Sequence, residues 1–208
     1  MEPSYDTSLA ESAYSLAARW DASRTISDVN KLDFVVSDVE GYNSNQKSET
    51  WTNFIDQSKL NPYPIVVVFL ERLATYAPLP STHIEHLGAL YDVATSPNAE
   101  IRLRFYNFAL KDAQSSAALD FASHALKWVT GRDGTGVIKG RMKFCRPTFR
   151  AAGRVNSTLA KEYFVRSKEE FHPIARKLIE KVRCEIEIWP RITNDENRCQ
   201  RFKDLASV

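Results

Sequence analysis

Glycine and cysteine are scarce in this 208-residue sequence, which has seven glycines and three cysteines. So few glycines favour helices joined by short turns. The cysteines, Cys145, Cys184 and Cys199, are odd in number and widely spaced, so they indicate neither a disulfide framework nor a metal knuckle. We therefore expect a protein of the reducing cytoplasm.

Long apolar runs and blocks of one charge are also missing. The longest apolar run, Ile65–Leu70, is far shorter than the roughly 20 residues that span a bilayer. No basic segment followed by an apolar one stands at the N-terminus, so we expect no signal peptide. The 28 basic and 26 acidic residues are interspersed and give a net charge of +2. This balance argues against nucleic acid as a partner, and the short apolar runs argue against a membrane.

Apolar residues recur at helical spacing along most of the chain. With 43% hydrophobic and 26% charged residues, the composition is that of a globular protein. Helix follows helix with short joints, which predicts an all-α fold of antiparallel helix pairs stacked as an armadillo- or HEAT-like α-solenoid. For Ile65–Leu73 we favour a helix over a short strand, because the helical pattern continues to Tyr76. The predicted helices lie near residues 8–20, 26–32, 48–57, 65–76, 81–91, 98–109, 115–129, 139–152, 156–164 and 174–182.

Polar residues at the starts of three of these helices are candidate N-caps. Ser81 is the expected cap of one helix, Ser115 or Ser116 of another, and Asn156 or Ser157 of a third. The pattern leaves both pairs open.

Motifs of enzyme chemistry are not found. The sequence has no His-Glu-x-x-His, no P-loop, no Gly-x-Gly-x-x-Gly and no Gly-x-Ser-x-Gly. His83 and His86 stand three apart and could face one metal, but a catalytic zinc needs three protein ligands. We interpret both as helix-surface histidines and assign neither a catalytic residue nor a metal ligand.

One segment, residues 140–147, concentrates positive charge at the expected start of a helix. It holds Arg141, Lys143 and Arg146, and Lys139 precedes it. Cations there oppose the helix dipole. The segment is either a solvated basic helix start or an anion site, in which an arginine fork, a lysine and free backbone N–H groups would receive a carboxylate.

Other polar residues have structural interpretations. We expect Arg102 and Arg104 to be ion-pair or helix-packing residues. Cys145 lies among cations that could lower its pKa, although we interpret it as a packing residue. The core tryptophans are expected to be Trp20, Trp51 and Trp128.

The basic segment also resembles a known family. Gly-Arg-Met-Lys-Phe-x-Arg-Pro at 140–147 is similar to the signature of the C-terminal domain of leukotriene A4 hydrolase and its zinc aminopeptidase relatives. The resemblance covers about residues 4–182. Further matches occur in order at Tyr5–Trp20, Ala77–Pro80 with His83-Ile84, Asn98–Phe105 and His172-Pro173.

This resemblance implies that the chain helps to bind the substrate, whereas a separate domain carries out the catalysis. The parent enzymes trim amino-terminal residues from small peptides, and some hydrolyse a fatty-acid epoxide. By this resemblance Arg141 and Lys143 hold the free carboxylate of the substrate. The zinc and its ligands belong to a preceding catalytic domain, so we expect no cofactor in this chain. The partner is that zinc-peptidase domain, in cis or in trans, and the chain alone is expected to be inactive.

Two segments depart from the family pattern. Residues 58–69 look like an insertion, and residues 183–208 replace the family's ending with a divergent tail that we expect to pack poorly or to be disordered. We therefore expect one helical domain over residues 1–182.

The alternative function is that of a stand-alone helical scaffold that binds a protein partner. A pure scaffold would have no need for the Arg141/Lys143 pair.

Overall fold

The structure is a computed structural model that describes residues 8–40 and 63–185. Within these two ranges every regular element is a helix and no strand occurs, which confirms the all-α prediction. None of the described helices has the length and hydropathy to cross a membrane. The solenoid arrangement stays a prediction. The helices are α1 Ser8–Ala22, α2 Ser37–Glu40, α3 Tyr63–Leu73, α4 Ser81–Leu90, α5 Ala99–Ala109, α6 Ser116–Val129, α7 Met142–Val155, α8 Ser157–Ser167 and α9 Pro173–Glu185.

The run of β-branched residues after Pro64 is helical, as expected, because it lies within α3. This helix includes Tyr63–Phe69, the last part of the segment predicted to be an insertion. The predicted helix around Trp51 and the part of the divergent tail from 186 to 208 lie outside the described residues. At 26–32, the structure has only a short 3-10 helix, Val29–Lys31.

The chain divides into two compact units, residues 1–108 and 109–208. In the first unit, α1 packs along α3. The ring of Trp20 is fully buried and stacks on Phe34, with 4.0 Å between ring centroids and 7° between planes. Tyr91 meets the Trp20 ring edge-on at 6.0 Å. Such aromatic contacts add about 0.5–1.5 kcal/mol each to the gain from area burial.

A guanidinium joins two helices of the same unit. Arg104 on α5 lies 2.7 Å from the Glu71 carboxylate on α3 and 2.6 Å from that of Glu100. Its side chain is 22% exposed. The prediction of an ion-pairing role is therefore confirmed for Arg104.

In the second unit, α7 is the central helix, because it packs against α6, α8 and α9. Its Phe144 meets Trp128 of α6 edge-on at 6.0 Å. Phe149 meets Phe164 at 6.0 Å and Phe171 at 5.9 Å. All five rings are buried. These contacts hold α7 on several sides and so fix its first turn relative to the rest of the unit.

The helix starts resolve the open choices of N-cap. Ser115 accepts a bond from the Ala118 N–H at 3.1 Å, and Asn156 accepts one from the Leu159 N–H at 2.9 Å. For α4 the prediction was wrong. Pro80 occupies the cap position and Ser81 is the first helical residue, because the carbonyl of Pro80 already accepts the first two helical bonds.

Candidate functional site

The start of α7 carries the residues with the strongest expectation of binding. The helix begins at Met142, three residues later than the sequence pattern indicates. Arg141 is the N-cap, with extended backbone angles of −64° and 134°. Its carbonyl accepts bonds from the N–H groups of Phe144 and Cys145, at 2.9 Å and 3.1 Å. The Arg141 side chain therefore projects from the boundary between loop and helix rather than from within the first turn.

Side-chain exposure changes abruptly from high to low within residues 141–145. Arg141, Met142 and Lys143 are exposed, whereas Phe144 and Cys145 are buried. The buried pair anchors the turn in the core. The two cations expected to bind substrate consequently lie together at one end of α7, on a fixed backbone and in contact with solvent.

The electrostatic setting of this end favours an anion. The first turn of α7 has no acidic residue. An α-helix leaves its first N–H groups without an intrahelical acceptor, so they present partial positive charge. The Arg141 side chain makes no capping bond, and it has no ion pair within the described ranges.

Charge is also distributed unevenly between the two units, which the overall balance conceals. Residues 109–208 hold 20 basic and 12 acidic side chains, so this unit has a net charge of +8. The first unit is correspondingly acidic. Lys143, Arg146 and Arg150 follow one another at spacings of three and four, which places them on one face of α7. This field adds long-range attraction for a negatively charged ligand.

The two histidines of α4 do not form a metal site. His83 is buried, with its Nε2 3.1 Å from the Ser23 carbonyl oxygen and its Nδ1 3.4 Å from the Thr82 hydroxyl. The expectation of a surface histidine was therefore wrong for His83. His86 lies against Trp20 at 6.1 Å. Within the described ranges no three His, Cys, Asp or Glu side chains cluster as metal ligands, so these residues do not fit a zinc ion.

The thiol of Cys145 is fully buried on α7, and its Sγ lies 3.9 Å from the Gly140 carbonyl oxygen. Burial raises the pKa of this thiol above its ordinary value. A lowered pKa is therefore contradicted, because desolvation outweighs the backbone hydrogen bonds that act to lower it. The interpretation of Cys145 as a packing residue agrees with this burial.

The turn before α7 has a role that sequence reasoning overlooked. In the turn at residues 131–136, Gly131 has a left-handed φ of +69° and the chain returns closely over it. The available signal was a glycine directly after the last turn of α6, which is typical of a helix C-cap.

The described part of the chain is all-helical, and it carries an exposed pair of cations, Arg141 and Lys143, at the start of α7. A sequence model of the family described as "Leukotriene A4 hydrolase, C-terminal" matches residues 64–182. The chain belongs to this family, and its recognition from the Gly-Arg-Met-Lys motif is confirmed.

Curated relatives that match most of this chain support the assignment to the family. Leucine aminopeptidase 2 of Pyricularia oryzae is 32% identical over 183 residues, a match covering 86% of this chain and 24% of the relative. Leucine aminopeptidase 2 of Neurospora crassa is 31% identical over 183 residues, covering 86% of this chain and 22% of the relative. The chain thus spans about a quarter of the length of these curated relatives.

Solved structures of similar fold come from the same family. Native yeast leukotriene A4 hydrolase superposes with a TM-score of 0.64 at 22% identity, covering 88% of this chain and 27% of the other. A second native structure, from Saccharomyces cerevisiae, gives a TM-score of 0.63 at 23% identity, with coverages of 86% and 26%. At this identity the likeness shows the fold alone.

Proposed function

We propose that the chain acts as the C-terminal helical domain of a zinc aminopeptidase and supplies Arg141 and Lys143 to hold the free carboxylate of a peptide substrate. The observation that carries the proposal is the exposure of both cations at the start of α7, within the segment matched by the family. The zinc-containing catalytic domain, in cis or in trans, is the partner that this function requires.

The chemistry of a carboxylate suits this arrangement. The planar guanidinium of Arg141 presents two parallel N–H donors to the two oxygens, and the ammonium of Lys143 adds a point charge. Charge-assisted hydrogen bonds contribute about 1.5–3 kcal/mol each. A bound anion also removes the unfavourable interaction of these cations with the dipole of α7.

The hydrolytic chemistry belongs to the partner. Zinc bound in the catalytic domain would polarise the substrate and activate water. The described residues of this chain contain no cluster that could do so, and we expect the chain alone to be inactive. A cytoplasmic location is part of the proposal, and the free thiol of Cys145 is compatible with a reducing compartment.

A mixing assay tests the proposal. The full 208-residue chain is combined with Pyricularia oryzae leucine aminopeptidase 2 from which the matching segment has been removed. Cleavage of a tripeptide is compared with cleavage of the same peptide carrying a C-terminal amide, which has no carboxylate to bind. We expect restored cleavage, and Arg141→Ala to raise KM for the free peptide by about 10- to 100-fold while leaving the amide unaffected.

Arg154→Ala is the matched control, because Arg154 is also an exposed arginine of α7 but lies at the opposite end of the helix. It should change neither KM. If mixing restores cleavage but Arg141→Ala acts on both peptides alike, the carboxylate role is wrong. If the two pieces neither associate nor restore cleavage, the chain is better explained as a helical scaffold for another protein.

A further inference from the structure

We infer that Gly131 is a positioning residue for Arg141, because its lack of a side chain lets the connection between α6 and α7 fold back closely. This rests on the proposed function, since it concerns the same carboxylate anchor. It adds that a backbone feature ten residues away determines where the Arg141 guanidinium lies.

The end of α6 is closed by a specific hydrogen-bond pattern around Gly131. The N–H of Gly131 donates to the Trp128 carbonyl at 3.2 Å, and the N–H of Arg132 donates to the Lys127 carbonyl at 2.7 Å. With φ of +69° at Gly131, these two bonds form a Schellman motif. The left-handed residue reverses the chain directly after the helix, and glycine adopts this conformation without steric cost.

The chain then returns over the same residue. The N–H of Gly136 donates to the Gly131 carbonyl at 3.1 Å, and the N–H of Lys139 donates to the Val129 carbonyl at 3.0 Å. A Cβ placed on Gly131 would lie 3.0 Å from the carbonyl carbons of both Gly136 and Val137. These are backbone atoms, so a side chain would have to displace the returning segment itself.

The side chain of Arg132 ties this turn to α8. Its terminal nitrogen lies 3.4 Å from the Ser167 hydroxyl and 3.5 Å from the Arg166 carbonyl oxygen, within reach of a weak hydrogen bond to each. The same nitrogen lies 3.9 Å from the Glu170 carboxylate. Ser167 is fully buried, so this attachment point belongs to the packed part of the unit. The turn is thereby held at two places.

Arg141 follows this return by two residues. Its backbone is set by the segment that ends at Lys139 and by the packing of Phe144 and Cys145 on the other side. No capping bond of its own side chain holds the guanidinium in place. A shift of the returning backbone is therefore passed directly to the guanidinium, and a displacement of about 1 Å in a substrate-positioning group is enough to weaken its interaction with the substrate.

Gly134 provides a matched control on the same turn. It also has a left-handed φ, of +91°, but a Cβ there would meet no atom within 4 Å. Gly131→Ala and Gly134→Ala thus share the strain of a left-handed alanine. Only Gly131→Ala adds the collision with the returning backbone.

The mixing assay with the full chain gives the kinetic test. We expect Gly131→Ala to raise KM for the free tripeptide by about tenfold, with kcat and the KM of the amide unchanged. Gly134→Ala should change KM less than about twofold, since it adds no collision. In the Arg141→Ala background, Gly131→Ala should add nothing, because its effect passes through the guanidinium.

Several results would overturn the inference. Equal effects of the two glycine variants, equal effects on free and amidated peptides, or an additive loss with Arg141→Ala would each do so. Circular dichroism establishes whether Gly131→Ala is folded. If it is not, Arg132→Ala replaces it, since this variant loosens the same turn by removing its attachment to α8. An unchanged KM together with unchanged amide shifts of residues 139–143 would then show that the turn does not position Arg141.

Failure of this inference is distinguishable from failure of the proposed function. If Arg141→Ala raises KM selectively but Gly131→Ala does not, only the positioning role is wrong. If Arg141→Ala has no selective effect, the carboxylate anchor is wrong. Backbone amide chemical shifts of residues 139–143, recorded without substrate, then test the positioning directly. They should change in Gly131→Ala and stay constant in Gly134→Ala.

Discussion

The indole N–H of Trp20 donates a hydrogen bond to the hydroxyl of Tyr91, with 3.2 Å between the nitrogen and the oxygen. The Trp20 side chain is fully buried on α1, and Tyr91 stands at the end of α4. The same hydroxyl lies 3.3 Å from a carboxylate oxygen of Asp38 and donates to it. One tyrosine hydroxyl thus joins three segments of the first unit.

Tyr91→Phe should lower the free energy of unfolding by about 1–3 kcal/mol, because the buried indole N–H of Trp20 loses its acceptor. Urea denaturation of the full chain measures the change. Tyr14→Phe is the control, since Tyr14 is 47% exposed, and its effect should stay within about 0.5 kcal/mol. Equal losses in the two variants would show that the bond contributes nothing.

Stability should also fall in alkali because of the same hydroxyl. Burial, with a further contribution from the negative charge of Asp38, raises the pKa of Tyr91 well above its ordinary value of 10.0. The unfolded state therefore releases this proton at lower pH than the folded state, and the stabilisation, intact below about pH 10, decreases as the pH rises further. Urea midpoints at several pH values test this. Parallel curves for the wild type and Tyr91→Phe would contradict it.

The choice of N-cap for α6 has a direct test. Ser115→Ala should destabilise the chain by about 1 kcal/mol, because the Ala118 N–H loses the side-chain acceptor found at 3.1 Å. Ser116→Ala is the matched control, since Ser116 is exposed and is the first helical residue. A larger loss from Ser116→Ala, measured by urea denaturation, would reverse the assignment.

Cys145 should react slowly with iodoacetamide in the folded chain. Its thiol is fully buried, and the raised pKa keeps it protonated at neutral pH. Alkylation followed by peptide mass spectrometry should show a rate at least about tenfold below that of the urea-unfolded chain, since reaction requires local opening. Equal rates in the two states would show that α7 does not protect this residue.

Arg141→Lys separates charge from geometry at the proposed anchor. Lysine retains the positive charge but lacks the planar fork, so KM for the free tripeptide should rise about 3- to 10-fold, less than in Arg141→Ala. Arg154→Lys should leave KM unchanged. If Arg141→Lys is as active as the wild type, charge alone holds the carboxylate.

The helical class followed from local pattern alone. Apolar residues at spacings of three and four placed α1 correctly and assigned the run Ile65–Leu73 to a helix rather than a strand. These assignments succeeded because each helix buries one face, and the period of that face is a local property of the chain. The segment Gly-Arg-Met-Lys-Phe-x-Arg-Pro at 140–147, with the further matches in order along the chain, likewise identified the family through motifs that are local in sequence.

Cap choice depended on local backbone angles, and histidine burial depended on a neighbour distant in sequence. Ser115 rather than Ser116 caps α6, because Ser115 has an extended backbone and Ser116 is already the first helical residue. His83 is buried because the Ser23 carbonyl, sixty residues before it, lies within 3.1 Å. Spacing along a helix reports which residues share a face, and it carries no information about what covers that face.

The sequence by itself determined the all-helical class and the family, and it pointed to Arg141 and Lys143 as candidate binding residues, since periodicity and motifs are properties of neighbouring residues. Only the tertiary structure decided where those cations lie. Residues 136–139 return over Gly131 through two backbone hydrogen bonds, from Gly136 to Gly131 at 3.1 Å and from Lys139 to Val129 at 3.0 Å. The helical spacing of apolar residues does not predict these bonds. Desolvation likewise set the direction of the Cys145 pKa, because burial is produced by packing and not by sequence spacing.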